Sequence, residues 1–416
     1  MSFAILIIAL LCLFLTNRKF GTFSFPFAGA CSFLIYSVPA ILGLSAEFYY
    51  SGQTKYFVSA QAGATGIVLL AWCGFALVVI AYKQLAYRQC EPLLSNNNYS
   101  DQMKIATVLS FLGLGYLIVT GGLFFFTNAR DEQLNDFATL LWRWFVLIGF
   151  AAAIVENNRR YQVAMLFLIA IIFLRGDRTI PAIAGALYVV LYFRFFGEAG
   201  GFFKKISRPK FIISVILLST TIFIGKPIYL SVKEGDISIL RYALADDPLS
   251  NIVMAAEPFG TFNHISSVMN LNIDINFFDF ISSILANLTI VPSFFGLNTN
   301  LYNETITSAI PYSLSYGIAG NYWAHAWAVG GYLGVILFSL IYPISLIFCD
   351  RYLVDKNGRV RLSLAVIGAL TAIYVHRNGL DNFLSFVRQI CVAAFIVYVI
   401  HIISRARNSN YGYLRL

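Results

Sequence analysis

The segment LRGDRTIPA (174–182) sets two arginines, Arg175 and Arg178, around Gly176 and Asp177, directly before a threonine and a proline. Thr179 reads as the cap of a following helix and Pro181 as part of its first turn. Guanidinium groups beside a helix N-terminus form an anion site, because the helix dipole and the free N–H groups add to their charge. Arginine also grips a phosphate through two parallel hydrogen bonds. Three more arginines sit in or beside apolar runs: Arg143 in LWRWF, Arg377 in HRNGL and Arg388 in LSFVRQICV. Ionisable groups at membrane depth are costly and face cavities or partners. For each arginine alone, a snorkelling side chain or a pair with Asp or Glu is the plain alternative. Arg178 paired to Asp177 is the alternative for the turn. As a group they point to an outward-facing basic cavity.

A second set of residues could move a proton. In AAEPFGTFNHISSVMN (255–270), Glu257 and His264 are candidate acceptors. They stand seven residues apart, about two helical turns, and share a face if the segment is helical. An ion-pair partner for Glu257 and an ordinary loop histidine for His264 are the alternatives. His325, His376 and His401 lie near helix ends and carry a weaker signal. The chain holds no HExxH, GxSxG, P-loop or DxD spacing. That counts against a zinc protease, a serine hydrolase, an ATPase and a metal-dependent sugar-nucleotide transferase. Neither a metal site nor a cofactor is expected.

These residues need membrane helices to position them. Of 416 residues, 59% are hydrophobic and 12% charged, with mean hydropathy +0.73; soluble domains carry about 25% charged residues. Runs of the length needed to span a bilayer, roughly 20 residues, occur near 2–16, 26–45, 62–82, 105–126, 137–155, 161–174, 179–197, 211–229, 324–349, 361–376 and 384–404. The expected fold is an all-α polytopic membrane protein of about eleven spans, N-terminus outside and C-terminus cytoplasmic. One integrated membrane domain is expected: helices one to eight over 1–229, a large external loop over 230–320, and helices nine to eleven over 321–416. The stretch 277–295 within the loop reads as an interfacial or re-entrant helix.

Charge placement supports this alternation. It puts Arg18, Lys19, Lys83, Arg88, Lys104, Arg159, Arg160, Arg194, Lys204, Lys205, Arg208, Lys210, Arg351, Lys356, Arg359, Arg361, Arg405, Arg407 and Arg415 inside, well over half of the 29 Lys and Arg. The net charge of +9 therefore reads as an orientation signal and not as a nucleic-acid surface. The six cysteines are scattered, mostly in apolar runs, and read as small hydrophobes. Gly317, Gly320, Gly330, Gly331 and Gly334 in the 312–342 segment permit close helix approach. The polar and aromatic residues there, including Tyr316, Asn321, Tyr322 and Trp323, supply an interface belt and a sugar-stacking surface.

Three segments together resemble a known family. YGIAGNYWAHAWAVGGYLGVILF after a long external loop, RGDRT in an external turn, and HRNGLDNFLSFVRQ before the last helix are similar to the Wzy-type oligosaccharide repeat-unit polymerases of bacterial surface polysaccharides. The resemblance implies an inner-membrane glycosyltransferase that polymerises O-antigen or capsule repeat units carried on undecaprenyl diphosphate. It implies membrane lipids and a chain-length regulator protein as partners. The related O-antigen ligases share the architecture and use an arginine with a loop histidine, but HISSVM around His264 matches that pattern only in part. A lipid-linked oligosaccharide flippase is a third expectation, against which stand one long loop and no visible internal repeat.

Overall fold

The computed structural model describes residues 1–43, 48–50, 54–56, 61–82, 99–121, 137–175, 177, 179–196, 237, 241, 257–290, 298–309, 320–354 and 360–412. Among them the chain is helical apart from one small hairpin, β1 (Phe48–Tyr50) paired antiparallel with β2 (Thr54–Tyr56). The first six helices are α1 (Ser2–Phe20), α2 (Phe25–Leu42), α3 (Gln61–Ala81), α4 (Ser100–Gly121), α5 (Phe137–Val155) and α6 (Arg159–Leu174). Next comes α7 (Thr179–Phe196), whose stretch Tyr188–Tyr192 is wound as a π-helix. Three short helices follow: α8 (Glu257–Asn270), α9 (Phe277–Leu288) and α10 (Leu301–Ala309). The last three are α11 (Tyr322–Arg351), α12 (Leu362–Tyr374, continued by a 3-10 turn to Arg377) and α13 (Leu380–Gly412).

Among the described residues, seven helices are long and apolar enough to cross a membrane: α1, α2, α3, α4, α7, α11 and α13. Their lipid-side residues, such as Phe3, Phe14, Leu77, Leu112 and Leu333, are large, apolar and exposed. This is the surface of a membrane-embedded helical protein. The expected eighth helix at 211–229 lies outside the described residues.

Side chains tie many helix ends into one layer. The Lys19 ammonium at the end of α1 donates to the carbonyls of Val79, Ile80 and Tyr82 at the end of α3, at 2.7, 2.9 and 2.8 Å. It supplies partners for carbonyls that a helix C-terminus leaves open. Asp350 near the end of α11 accepts from the Phe25 N–H that opens α2, at 3.1 Å, and from Arg194 near the end of α7, at 2.8 Å. The Tyr99 N–H, just before α4, bonds the Glu156 carboxylate just after α5, and the Tyr99 hydroxyl reaches the carbonyl of Val360, just before α12. His401 and Arg405 of α13 lie 4.0 Å from Asp101 in the first turn of α4.

α11 departs from the single straight span expected at 324–349. Its backbone breaks at Gly330 and Gly331, and Gly331 takes φ +55°, ψ −135°, a conformation that L side chains avoid. The short half, 322–329, folds back along the long half. The Tyr322 hydroxyl donates to the carbonyl of Phe338 at 3.4 Å, and their rings lie 4.9 Å apart. On a continuous helix, sixteen residues would separate them by about 24 Å. The approach is tight: a Cβ on Gly334 would run into the carbonyl oxygen of Ala326.

Candidate functional site

Helix length fixes the depth of the chemistry. Arg143 lies twelve residues before the tied end of α5, and Gln389 twelve residues before His401, so each stands at most about 18 Å above the tied layer. Thr179 stands fifteen residues above Arg194, and Arg377 fifteen above Leu362, a rise of about 20 Å in each case. α3 and α4 rise about 30 Å from the same layer. The arginines therefore lie below the tops of their neighbours.

Four of the five expected anion-binding arginines converge there. Arg143 reaches the Asp177 carboxylate with Nη1 at 3.5 Å and the Gln389 carbonyl oxygen with Nη2 at 3.2 Å. Its guanidinium stacks over the rings of Phe386 and Trp144, 4.7 and 5.1 Å from their centroids. Asp177 also accepts from the Thr179 N–H at 3.0 Å, so the aspartate, not the threonine, caps α7. Thr179 is the first helical residue, and its hydroxyl accepts from Arg377 at 3.3 Å. Arg175 lies 6.0 Å over the Trp142 ring. Its guanidinium also interacts electrostatically with the Asp177 carboxylate. Arg178 lies outside the described residues.

Arg388 joins this set through α13. Its Nη2 donates to the Ser385 hydroxyl at 3.2 Å, as does the Gln389 amide at 3.3 Å. The Gln389 carbonyl oxygen takes hydrogen bonds from Arg143 and from the Trp144 indole, the latter at 2.7 Å. The Arg388 Nη1 donates to the last carbonyls of α9, Ala286 at 3.2 Å and Thr289 at 2.8 Å. Gln389, Ser385 and Asp177 were not among the expected site residues. A neutral amide inside an apolar run gives no periodic signal, though its place beside Arg388 was a hint.

The expected glycan-facing residues have different surroundings. Asn321, Tyr322 and Trp323 are buried. The Asn321 carbonyl oxygen caps α11 by accepting from the N–H groups of Trp323 and Ala324. Its amide donates to the carbonyls of Thr261 and His376. The Trp323 ring packs among Phe33, Tyr342 and His376. These contacts are packing and capping. Tyr316 lies outside the described residues.

α8 is helical from Glu257, so Glu257 and His264 occupy one helix two turns apart; the Glu257 side chain lies outside the described residues. His264 is buried against the edge of Tyr302, and its Nε2 finds no hydrogen-bond partner among the described residues. Burial pulls its pKa down to about 4. The imidazole is therefore neutral through the physiological range, and an activity loss near pH 6.5 is not expected from this histidine. Tyr302 stacks flat on His325, with centroids 4.1 Å apart. His325 Nδ1 accepts from the Leu380 N–H, which leaves its proton on Nε2 in the neutral ring. His376 bonds the Tyr342 hydroxyl at 3.0 Å.

Chemically, the basic cluster can hold a multiply charged anion. Four guanidinium groups surround a network whose carboxylate, among the described residues, is that of Asp177. They are held in place by aromatic faces and neutral hydrogen-bond partners. Compared with known protein families, curated proteins and solved structures, the chain has no match.

Proposed function

We propose that this protein polymerises oligosaccharide repeat units carried on undecaprenyl diphosphate, at the periplasmic face of a bacterial inner membrane. A hydroxyl on one lipid-linked unit attacks the anomeric carbon of a second lipid-linked chain. A new glycosidic C–O bond forms, the C–O bond to the lipid diphosphate breaks, and the hydroxyl proton passes to a base or to the departing diphosphate. The product is a surface polysaccharide, O-antigen or capsule, whose length a chain-length regulator partner would set.

One observation carries this assignment: Arg143, Arg175 and Arg377 gather around Asp177 and Thr179, and Arg388 joins them through Ser385 and Gln389. A leaving diphosphate develops charge as its bond to the sugar breaks, and preorganised donors in a poorly solvated site stabilise that charge strongly. The lipid tail explains why such a site lies within the bilayer. His264, neutral and with Nε2 available, is the candidate acceptor for the hydroxyl proton, and Glu257 is its rival.

The tied layer also supports eleven spans. α7 and α11 both finish at that layer, joined by Arg194 and Asp350. A chain leaving α7 there, and entering the spanning half of α11 from the opposite face, crosses an odd number of times in between. This favours a further span at 211–229. With the N-terminus of α1 opposite the layer, the layer is cytoplasmic by charge.

A second reading, transport of lipid-linked oligosaccharide, is favoured by the broken α11, since interrupted helices recur at transporter binding sites. Purified protein in proteoliposomes separates the two. Given undecaprenyl-diphosphate-linked repeat units on the arginine side, the polymerase forms ladders of increasing length. Arg143→Gln and Arg377→Gln should abolish the ladder, and the lysine variants should restore only part, because the fork is lost. Wild-type ladders from both glutamine variants would remove the arginines from the chemistry. Vesicle translocation without any ladder would favour transport.

A further inference from the structure

α9 carries an apolar face that, among the described residues, nothing covers. Phe277, Phe278, Ile281, Leu285 and Leu288 are exposed along it, Phe278 by 79%, and Ile290 extends the strip. The opposite face, with Phe280, Ser283, Ala286 and Asn287, is buried. Twelve residues make about 18 Å of helix, too short to cross a bilayer. The depth of α9 is set by Arg388, which holds the carbonyls of Ala286 and Thr289. Arg388 lies thirteen residues above His401, at most about 20 Å above the tied layer, whereas α4 rises about 30 Å. With the tied layer cytoplasmic, as proposed above, this height places the C-terminal end of α9 in the outer half of the bilayer, with its exposed face towards lipid. Behind it, Arg388 leads through Ser385 and Gln389 to Arg143 and Asp177.

The geometry points to α9 as a lateral docking surface for the hydrocarbon chain of a polyprenyl diphosphate whose headgroup engages the arginines behind it. The inference rests on the diphosphate site proposed above. A single-chain lipid with a multiply charged head fits both halves of this arrangement: apolar strip outside, row of guanidiniums inside. Arg388 is the shared element. Its Nη1 hydrogen bonds hold the end of α9, and an incoming phosphate oxygen competes for the same donor. Headgroup binding therefore loosens the end of the helix along which the tail lies.

The test is photocrosslinking in proteoliposomes of the full chain. A benzophenone amino acid replaces Leu285 on α9 or, as control, the equally lipid-exposed Leu112 on α4. The probe is undecaprenyl diphosphate with a terminal alkyne. Labelling is expected at position 285 well above position 112, displaced by unlabelled undecaprenyl diphosphate and not by phosphatidylglycerol. Arg388→Gln should lower labelling at 285 about tenfold, the scale of a lost charged hydrogen bond, and Arg388→Lys should lower it less. Equal labelling at both positions, or equal displacement by phosphatidylglycerol, would show ordinary annular lipid and overturn the inference. Polymer ladders formed with position 285 unlabelled reject the α9 surface and leave the polymerase standing. Specific labelling with no ladder keeps the surface and rejects the polymerase.

Discussion

At the scale of single residues, each guanidinium of the basic cluster has a named partner: Asp177 and Gln389 for Arg143, the Thr179 hydroxyl for Arg377, the Ser385 hydroxyl for Arg388 and the Trp142 ring for Arg175. Arg143, Arg175, Arg377 and Arg388 stood out because each falls where the charge pattern expects none. Their convergence depends on Gln389 and Ser385, uncharged residues that no spacing rule marks, and on Thr179, which the sequence marks only as a helix cap. The histidines illustrate the opposite difficulty. His264 was legible as a candidate, but its burial was not, and burial resets its chemistry. Its folded pKa lies near 4, below the ordinary value of 6.5. Between those values the unfolded chain binds a proton that the folded protein refuses, so stability is lost as pH falls from about 6.5 towards 4. The shift corresponds to about 3 kcal/mol when complete. Thermal melting of the detergent-solubilised protein should show this loss, and His264→Phe should flatten it over that window. An unchanged pH slope in the phenylalanine variant would mean that His264 does not titrate as described. In the polymerisation assay, a rate that is level through pH 6.5 is the matching kinetic expectation.

At the scale of elements, apolar runs located helices well and breaks poorly. The expected helices at 2–16, 26–45, 62–82, 137–155 and 161–174 coincide with α1, α2, α3, α5 and α6 to within a few residues. Those boundaries follow from burial and capping, which composition tracks. α11 was read as one span because its two halves are equally apolar and hydropathy is blind to direction. The paired glycines were the available signal, and they were read for close approach when their conformational freedom was the larger part. Gly331 sits where an L side chain is strained by roughly 1–3 kcal/mol. Gly331→Ala should therefore lower the melting temperature and weaken the packing of Tyr322 on Phe338, with polymer yield falling alongside. A variant with unchanged stability would argue that the fold-back at 330–331 does not form. Gly66, beside which an added Cβ meets nothing within 4 Å, is the control: Gly66→Ala should be tolerated.

At the scale of the whole molecule, the tied layer of helix ends is the organising feature. Lys19, Asp350, Arg194, Glu156 and Asp101 hold it together, and the charge pattern had assigned the same ends to one side. The proposed crossing between α7 and α11 rests on a hydrophobic stretch in the sequence and a parity argument from the tied layer. Reporter fusions test it directly. Fusions after Lys204 and Lys356 should report cytoplasm, and fusions after Asp247 and Asn300 should report the outside. Asp247 and Asn300 on opposite sides would mean that 277–295 crosses the bilayer and that the span count is wrong. The unequal heights of the helices have a further consequence for the membrane itself. α4 offers about 33 Å of helix to lipid, while α6, whose Val163, Phe167 and Leu174 face outward, offers about 24 Å before Arg175. With α6 as a span, as the proposed eleven-span reading requires, a bilayer cannot match both heights and thins along the α6 flank. In the proposed reading the outer headgroups dip there, and the lipid-borne diphosphate of that proposal reaches the arginines along the deformed surface. Bilayers of longer acyl chains resist that dip, so polymer formation in reconstituted vesicles should slow as the membrane thickens, with no residue of the protein changed.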